Sequence, residues 1–380
     1  MEIVPSAGKA DGSKYCTFSA YLQPANKELP VASEPLAFPA FEDDNGAIKR
    51  RFAASKGEAR ASFKELSIVT SFVDRLASAV REKRTPVLVG LDPRLESLPS
   101  GLAPAEATRS LSARADAFEA FCRGVVDVVA PLVPAVKPQA AFFEELGPAG
   151  MACLGKVIDY AIQKGLIVIL DGKRNDIGST ATAYAQGILG AKDWSAWGAD
   201  ALTVSPYLGD DSLRPFVDVA VARNAGLFVL VKTSNPGGGM FQDLVAEGRP
   251  LFEHVAAYVE GLAEQTLGQC GYGAVGGVVG ATYPHQLAEL RTKMPHTWFL
   301  VPGFGSQGGA AKDVAAGLDE RGMGAIINNS RGILFAYRRK EYAQQFGDAR
   351  WQAAVEASTR EMIDQLRTDT SAGQLNERTY

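Results

Sequence analysis

The chain has 380 residues, 46% of them hydrophobic, with 39 basic and 43 acidic side chains and a net charge of −4. That is enough apolar material for one large domain or two small ones. The near-balance of charge gives no electrostatic case for nucleic acid or a membrane surface. Cys16, Cys122, Cys153 and Cys270 are scattered and form no C-x-x-C pair, the usage expected of reduced thiols in a cytoplasmic protein. No apolar run reaches membrane-spanning length, and no basic-plus-apolar leader opens the chain.

Residues 1–66 differ from the rest. They carry Pro5, Pro24, Pro30, Pro35 and Pro39, many small residues and no sustained period. They read as a disordered or loosely attached extension. Lys49-Arg50-Arg51 reads as a solvated charge run, with a basic interaction patch as the alternative. Glu28, Glu34, Glu42, Asp43 and Asp44 argue against a transit peptide, which is poor in acids.

From Ser71 the text becomes periodic. Phe72-Val73, Leu76 and Val80 have helical spacing, and 86–91 reads as a strand ending in Asp92-Pro93. Helical text over 104–129 leads to a short strand at 134–137, closed by Pro138. A helix at 148–164 precedes a strand at 166–171. Further strands are expected at 201–205, 227–232, 274–280, 298–301 and 325–328. Helices fit between them at 179–189, 212–223, 251–267, 284–294 and 311–318, and a last one at 351–366. Residues 369–380 read as a frayed tail.

Eight continuous apolar strands alternating with helices are what a parallel sheet covered on both faces requires. The expected fold is α/β, a (β/α)8 TIM barrel over 67–368. An open doubly wound sheet is the structural alternative. Its dinucleotide-binding form has no support, because no G-x-G-x-x-G follows the first strand.

In such a barrel, chemistry gathers at the C-terminal ends of the strands. Asp92 ends the first expected strand, Lys137 the second, Asp171 and Lys173 the third and Ser234 the fifth. Asp176 follows where the chain turns toward the next helix. One charge at a strand end means little. Four of alternating sign at one mouth are hard to explain as surface decoration. After the seventh strand comes Pro302-Gly303-Phe304-Gly305-Ser306-Gln307-Gly308-Gly309, whose glycines let backbone N–H groups approach an anion. After the eighth comes Asn328-Asn329-Ser330-Arg331-Gly332, and Arg331 is suited to bidentate phosphate contacts. Together these loops suggest a phosphorylated small molecule. Gly237-Gly238-Gly239 reads either as part of a mobile segment beside the mouth or as a plain flexible turn. His254, His285 and His296 show no metal-ligand spacing.

These residues resemble a known family. Asp171-Gly172-Lys173-Arg174-Asn175-Asp176-Ile177-Gly178-Ser179-Thr180 is similar to the D-x-K-x-x-D-I signature of orotidine 5′-phosphate decarboxylases, in the longer-chain bacterial (type 2) form. Val89-Gly90-Leu91-Asp92-Pro93-Arg94, Val136-Lys137-Pro138-Gln139, Thr233-Ser234-Asn235-Pro236-Gly237 and Val301-Pro302-Gly303-Phe304-Gly305 resemble that branch too. The resemblance covers about 71–366. It implies decarboxylation of orotidine 5′-monophosphate without cofactor or metal. It implies Lys173 as proton donor to C6, Asp171 beside the substrate carboxylate, and Lys137 and Asp92 at the ribose. It implies Ser234 at the pyrimidine, Pro302 in the substrate site, and Gln307 and Arg331 at the phosphate. It also implies a homodimer with shared sites, in which Asp176, Ile177 and Thr180 reach across to the neighbouring subunit. Two alternatives stand beside it: a metal-dependent barrel acting on a keto-sugar phosphate, and a catalytically silent nucleotide-binding barrel. The change of composition makes initiation near Val69 or Ser71 an expectation, and native N-terminal mass spectrometry that recovers peptides from 1–60 would overturn it.

Overall fold

The computed structural model describes residues 70–305 and 310–376. The extension expected at 1–66 and the position of Gln307 lie outside the described residues. Eight parallel strands close into a barrel: β1 (Val87–Leu91), β2 (Ala135–Pro138), β3 (Ile167–Arg174), β4 (Ala201–Val204), β5 (Gly226–Lys232), β6 (Val275–Val279), β7 (Phe299–Val301) and β8 (Ala325–Asn329). Each pairs with its neighbour in sequence, and β8 closes on β1 in the register Val87↔Ile327 to Val89↔Asn329. The expected barrel is the observed one, with a strand at every expected position.

Alternation along the strands creates two cores. Val87, Val89 and Leu91 of β1, and Val168 and Leu170 of β3, face outward into the layer beneath the helices. Leu88, Ala135, Ile167, Ile169, Ala201, Phe228, Val278, Leu300 and Ile326 fill the lumen. The covering helices include Leu111–Val129, Gly147–Gln163, Gly178–Ile188, Asp210–Ala222, Leu251–Glu264, Pro284–Lys293 and Trp351–Asp369. Among the described residues, no helix is long and apolar enough to cross a membrane.

Three expectations are corrected. The helix expected from 104 starts only at Leu111, because the Ser110 hydroxyl accepts from the Ala113 N–H at 3.3 Å and caps it there. Residues Ala105–Thr108 form a 3-10 turn instead. The helix expected at 311–318 divides into Ala311–Val314 and the 3-10 turn Ala315–Gly317. The tail expected to fray continues as the 3-10 helix Ser371–Asn376. There Ser371 Oγ donates to the Asp319 carbonyl at 2.7 Å and Ala372 is buried.

The helix Phe72–Lys83 closes the end of the barrel opposite the strand C-termini. Phe72, Val73, Leu76, Ala77 and Val80 all join the lumen core. Phe72 meets Phe228 edge to face, with centroids 6.3 Å apart. Its ring occupies the space above Gly226, where an added Cβ would lie 2.1 Å from a Phe72 carbon. Arg75 ties the plug down through Asp200 and the Asn224 carbonyl. Phe72→Ala removes this stopper and is expected to cost about 3–5 kcal/mol, read as a lowered midpoint of urea unfolding.

Candidate active site

The site is organised by the top of β3. The alternation that points Ile167 and Ile169 into the lumen points Asp171 there as well, one step nearer the mouth. The register with β4 then shifts between Leu170 and Arg174. Lys173 sits in this irregularity with φ of +45°, a left-handed backbone that non-glycine residues rarely adopt. Such a conformation costs on the order of 1–3 kcal/mol and persists only where its surroundings fix it. Here the Lys173 N–H donates to Thr203 Oγ1 at 2.9 Å, and that hydroxyl donates to Asp171 Oδ1 at 3.0 Å. Lys173 Nζ donates to the same Oδ1 at 2.6 Å, while Lys137 Nζ at the end of β2 donates to Oδ2 at 2.6 Å. Asp171 is thus a buried carboxylate held between two ammonium groups.

Burial alone pushes the Asp171 carboxyl upward, but the charges of Lys137 and Lys173 and their hydrogen bonds outweigh it. They hold the group well below the usual carboxylate range. For Lys137, burial works against the charged form, and the carboxylates of Asp171 and Asp92 reverse it and raise its pKa. Both shifts favour the charged forms of Asp171 and Lys137. With Asp92 counted, two carboxylates stand against two ammonium groups, so opposite charges balance beside the pocket.

That pocket has a volume of about 500 Å³. Lys137, Asp171, Lys173, Thr203, Ser234 and Pro302 line it, beside the apolar walls Leu230, Val278 and Leu300. The structure therefore brings together five residues singled out in the sequence. Asp92 lies close enough for its charge to act on Lys137, and its Oδ1 is buried with no hydrogen-bond partner among the described residues. Arg331 lines a neighbouring cavity with Phe304, Gly305 and Asn329, at the tops of β7 and β8. Asp176, Ile177 and Thr180 are not in the pocket of their own chain. Asp176 Oδ1 accepts from the Ile177 N–H at 2.8 Å, Ile177 is 56% exposed, and Thr180 lines a shallow cleft with Tyr184 and Trp197.

Sequence reasoning missed Thr203, Lys232 and Gln242. Thr203 is the one polar residue in the β4 run, at an inward position, and that is the signal that could have found it. Residues 233–250 are more than a plain turn. They contain the 3-10 turn Pro236–Gly238, the helix Gly239–Gln242 and a hairpin pairing Val245–Ala246 with Arg249–Pro250. A further cluster was hidden by sequence distance. Glu260 accepts from the backbone N–H of His296 at 3.0 Å, pairs with its Nδ1 at 2.7 Å and accepts from Thr297 Oγ1 at 2.7 Å. It ties the helix Leu251–Glu264 to the segment before β7, at the end of the barrel away from the mouth.

The pH dependence of the network has a definite sign. Asp171 is depressed in the folded state, so its contribution is full above its unfolded value of about 3.9 and fades as pH falls through the folded one. Lys137 is raised, so its contribution is full below about 10.4 and fades as pH rises through its folded value. Asp171→Asn is expected to cost about 3–5 kcal/mol at neutral pH by leaving buried charge unpaired. The gap from the unaltered chain should be level between about pH 5 and 9 and narrow below about 4. Denaturant titrations at several pH values check this, and a gap that widens in acid would contradict it.

Comparison with known proteins matches this architecture. Residues 85–346 fit the family model described as the orotidine 5′-phosphate decarboxylase / HUMPS family. The orotidine 5′-phosphate decarboxylase of Rhodopirellula baltica is 56% identical over 299 residues, covering 78% of this chain and 99% of that one. The structure of Leishmania donovani OMP decarboxylase superposes with a TM-score of 0.61 at 35% identity, covering 79% of this chain and 98% of that one. Leishmania donovani UMP synthase superposes with a TM-score of 0.62 at 36% identity over 79% of this chain, which spans 56% of that longer protein. The chain belongs to the orotidine 5′-phosphate decarboxylase / HUMPS family.

Proposed function

We propose that this chain converts orotidine 5′-monophosphate to uridine 5′-monophosphate and carbon dioxide, the closing step of pyrimidine nucleotide synthesis. The observation that carries the reading is the Lys137–Asp171–Lys173 network on the wall of the mouth pocket. In this reaction the bond from C6 to the carboxylate breaks and its electron pair stays on C6. Preorganised positive charge stabilises that pair, and the Lys173 ammonium supplies both the charge and the proton. The neutral amine then regains a proton from solvent. Asp171 holds Lys173 and Lys137 in place and faces the substrate carboxylate, a repulsion relieved as carbon dioxide leaves. Lys137 and Asp92 engage the ribose, Ser234 the pyrimidine, and Pro302 walls the ring. Arg331, Gln307 and the glycine-rich backbone after β7 take the phosphate. Binding energy from that remote phosphate serves the chemistry at C6. The reading calls for no cofactor and no metal.

We further infer that the working form is a cytoplasmic homodimer with shared sites. Asp176, Ile177 and Thr180 lie outside their own chain's pocket, Asp176 half-buried and Ile177 and Thr180 exposed, in the segment that follows Lys173. That supports their serving a second copy.

Loss of orotidine 5′-monophosphate absorbance, followed with and without a chelator, tests the reaction. Turnover unaffected by the chelator is expected. Turnover that the chelator abolishes would favour the metal-dependent keto-sugar-phosphate chemistry. Lys173→Ala is expected to lower kcat by at least about a thousandfold with the fold intact by circular dichroism. Mixing Lys173→Ala with Asp176→Ala subunits should restore part of the activity, since each hybrid dimer has one whole site. No recovery would argue against sharing.

A further inference from the structure

Lys232 ends β5 at the rim of the mouth, yet it is 1% exposed and does not line the pocket. Its ammonium lies 5.1 Å from the ring centroids of both Phe252 and Tyr283. Among the described residues its carboxylate partner is Asp243, which belongs to the segment following β5. The next residue repeats the attachment. The Thr233 N–H donates to Gln242 Oε1 at 3.0 Å, and Gln242 Nε2 donates to Thr233 Oγ1 at 2.8 Å. The last residue of β5 and the residue after it thus grip two consecutive loop residues. Between these grips run Asn235, Gly237, Gly238 and Phe241, which with Gln242 form one wall of the pocket.

The glycine run fits this shape. A Cβ on Gly238 would lie 2.9 Å from Thr233 Oγ1, and one on Gly239 would lie 2.7 Å from Asp243 Oδ2. Small residues are needed there so that the loop can close onto its own anchors. The glycines therefore specify a packed turn.

We propose that Lys232 is a positioning residue: through its ion pair with Asp243 it clamps residues 233–244 into the shape that walls the substrate pocket. Lys232 acts through the loop, because its ammonium is enclosed by Asp243, Phe252 and Tyr283. A buried ammonium whose partner is neutralised is left unsatisfied, so the clamp opens when Asp243 loses its charge. The identification of the ligand as a nucleotide rests on the function proposed above; the clamp itself does not.

The test compares the full chain with Asp243→Asn. Hydrogen exchange of the unliganded protein should show the amides of 236–244 exchanging about tenfold faster or more, with the barrel strands unchanged. KM for orotidine 5′-monophosphate should rise about tenfold while kcat stays within about threefold. Asp243→Glu, which keeps the charge, should recover most of both effects. Unchanged exchange overturns the proposal, and so does a higher KM without faster exchange, which would make Asp243 a direct ligand contact. If the unaltered chain fails to turn over the nucleotide, the proposed function falls. The exchange comparison still decides the clamp.

Discussion

One carboxylate between two ammonium groups is the constraint from which the site follows. Asp171 is buried, and a buried ion is tolerated only when it is paired and hydrogen-bonded. Lys137, Lys173 and Thr203 satisfy it from three strands of the barrel. The same pairing satisfies Lys137, which is itself buried. Neither charge could occupy its position alone. The network is therefore a mutual condition, and it fixes the separation and orientation of two cationic side chains beneath a single pocket.

The barrel makes that condition possible. Its lower lumen is filled by aliphatic and aromatic groups from Ile167 to Phe228, so the polar residues one layer higher rest on a rigid floor. At the rim the regular ladder gives way. The register shift in β3 and the left-handed Lys173 re-aim one side chain, and Thr203 from the adjacent strand holds the resulting bend. Irregular backbone at a rim is a recurrent way to direct a functional group. Its conformational cost is offset by the electrostatic network it completes.

Much of this was legible in the sequence because parallel strands are apolar runs with punctuated ends. The run 166–171 gave the strand, and Asp171 and Lys173 stood out because charge follows buried hydrophobicity. Lys137 was readable for the same reason, Ser234 as a polar residue at a strand end, and Pro302 only through the resemblance to the family. The positive φ at Lys173 was not. It arises from pairing between β3 and β4, and no local propensity encodes it. Thr203 resembles any strand threonine until its neighbour across the ladder is known. Lys232 and Asp243 are eleven positions apart, with an irregular segment between them, so no period links them. Glu260 and His296 escaped for the same reason at greater separation. Local texture reveals elements and their ends; contacts made by folding back must be seen in space.

The stopper at the lower end has a kinetic meaning. Phe72, Phe228 and Trp298 fill the lumen where a second passage would run, so among the described residues the floor of the barrel is closed and the pocket opens at the mouth. Its contents must then be exchanged in series. On the proposed reaction the gas and the nucleotide share an exit, and so do the departing product and the next substrate. A product that lingers blocks entry outright, which makes its inhibition competitive by geometry. The segment between β5 and the helix Leu251–Glu264 walls one side of that opening, so on the proposed clamp the Lys232–Asp243 pair sets the shape of the single way in.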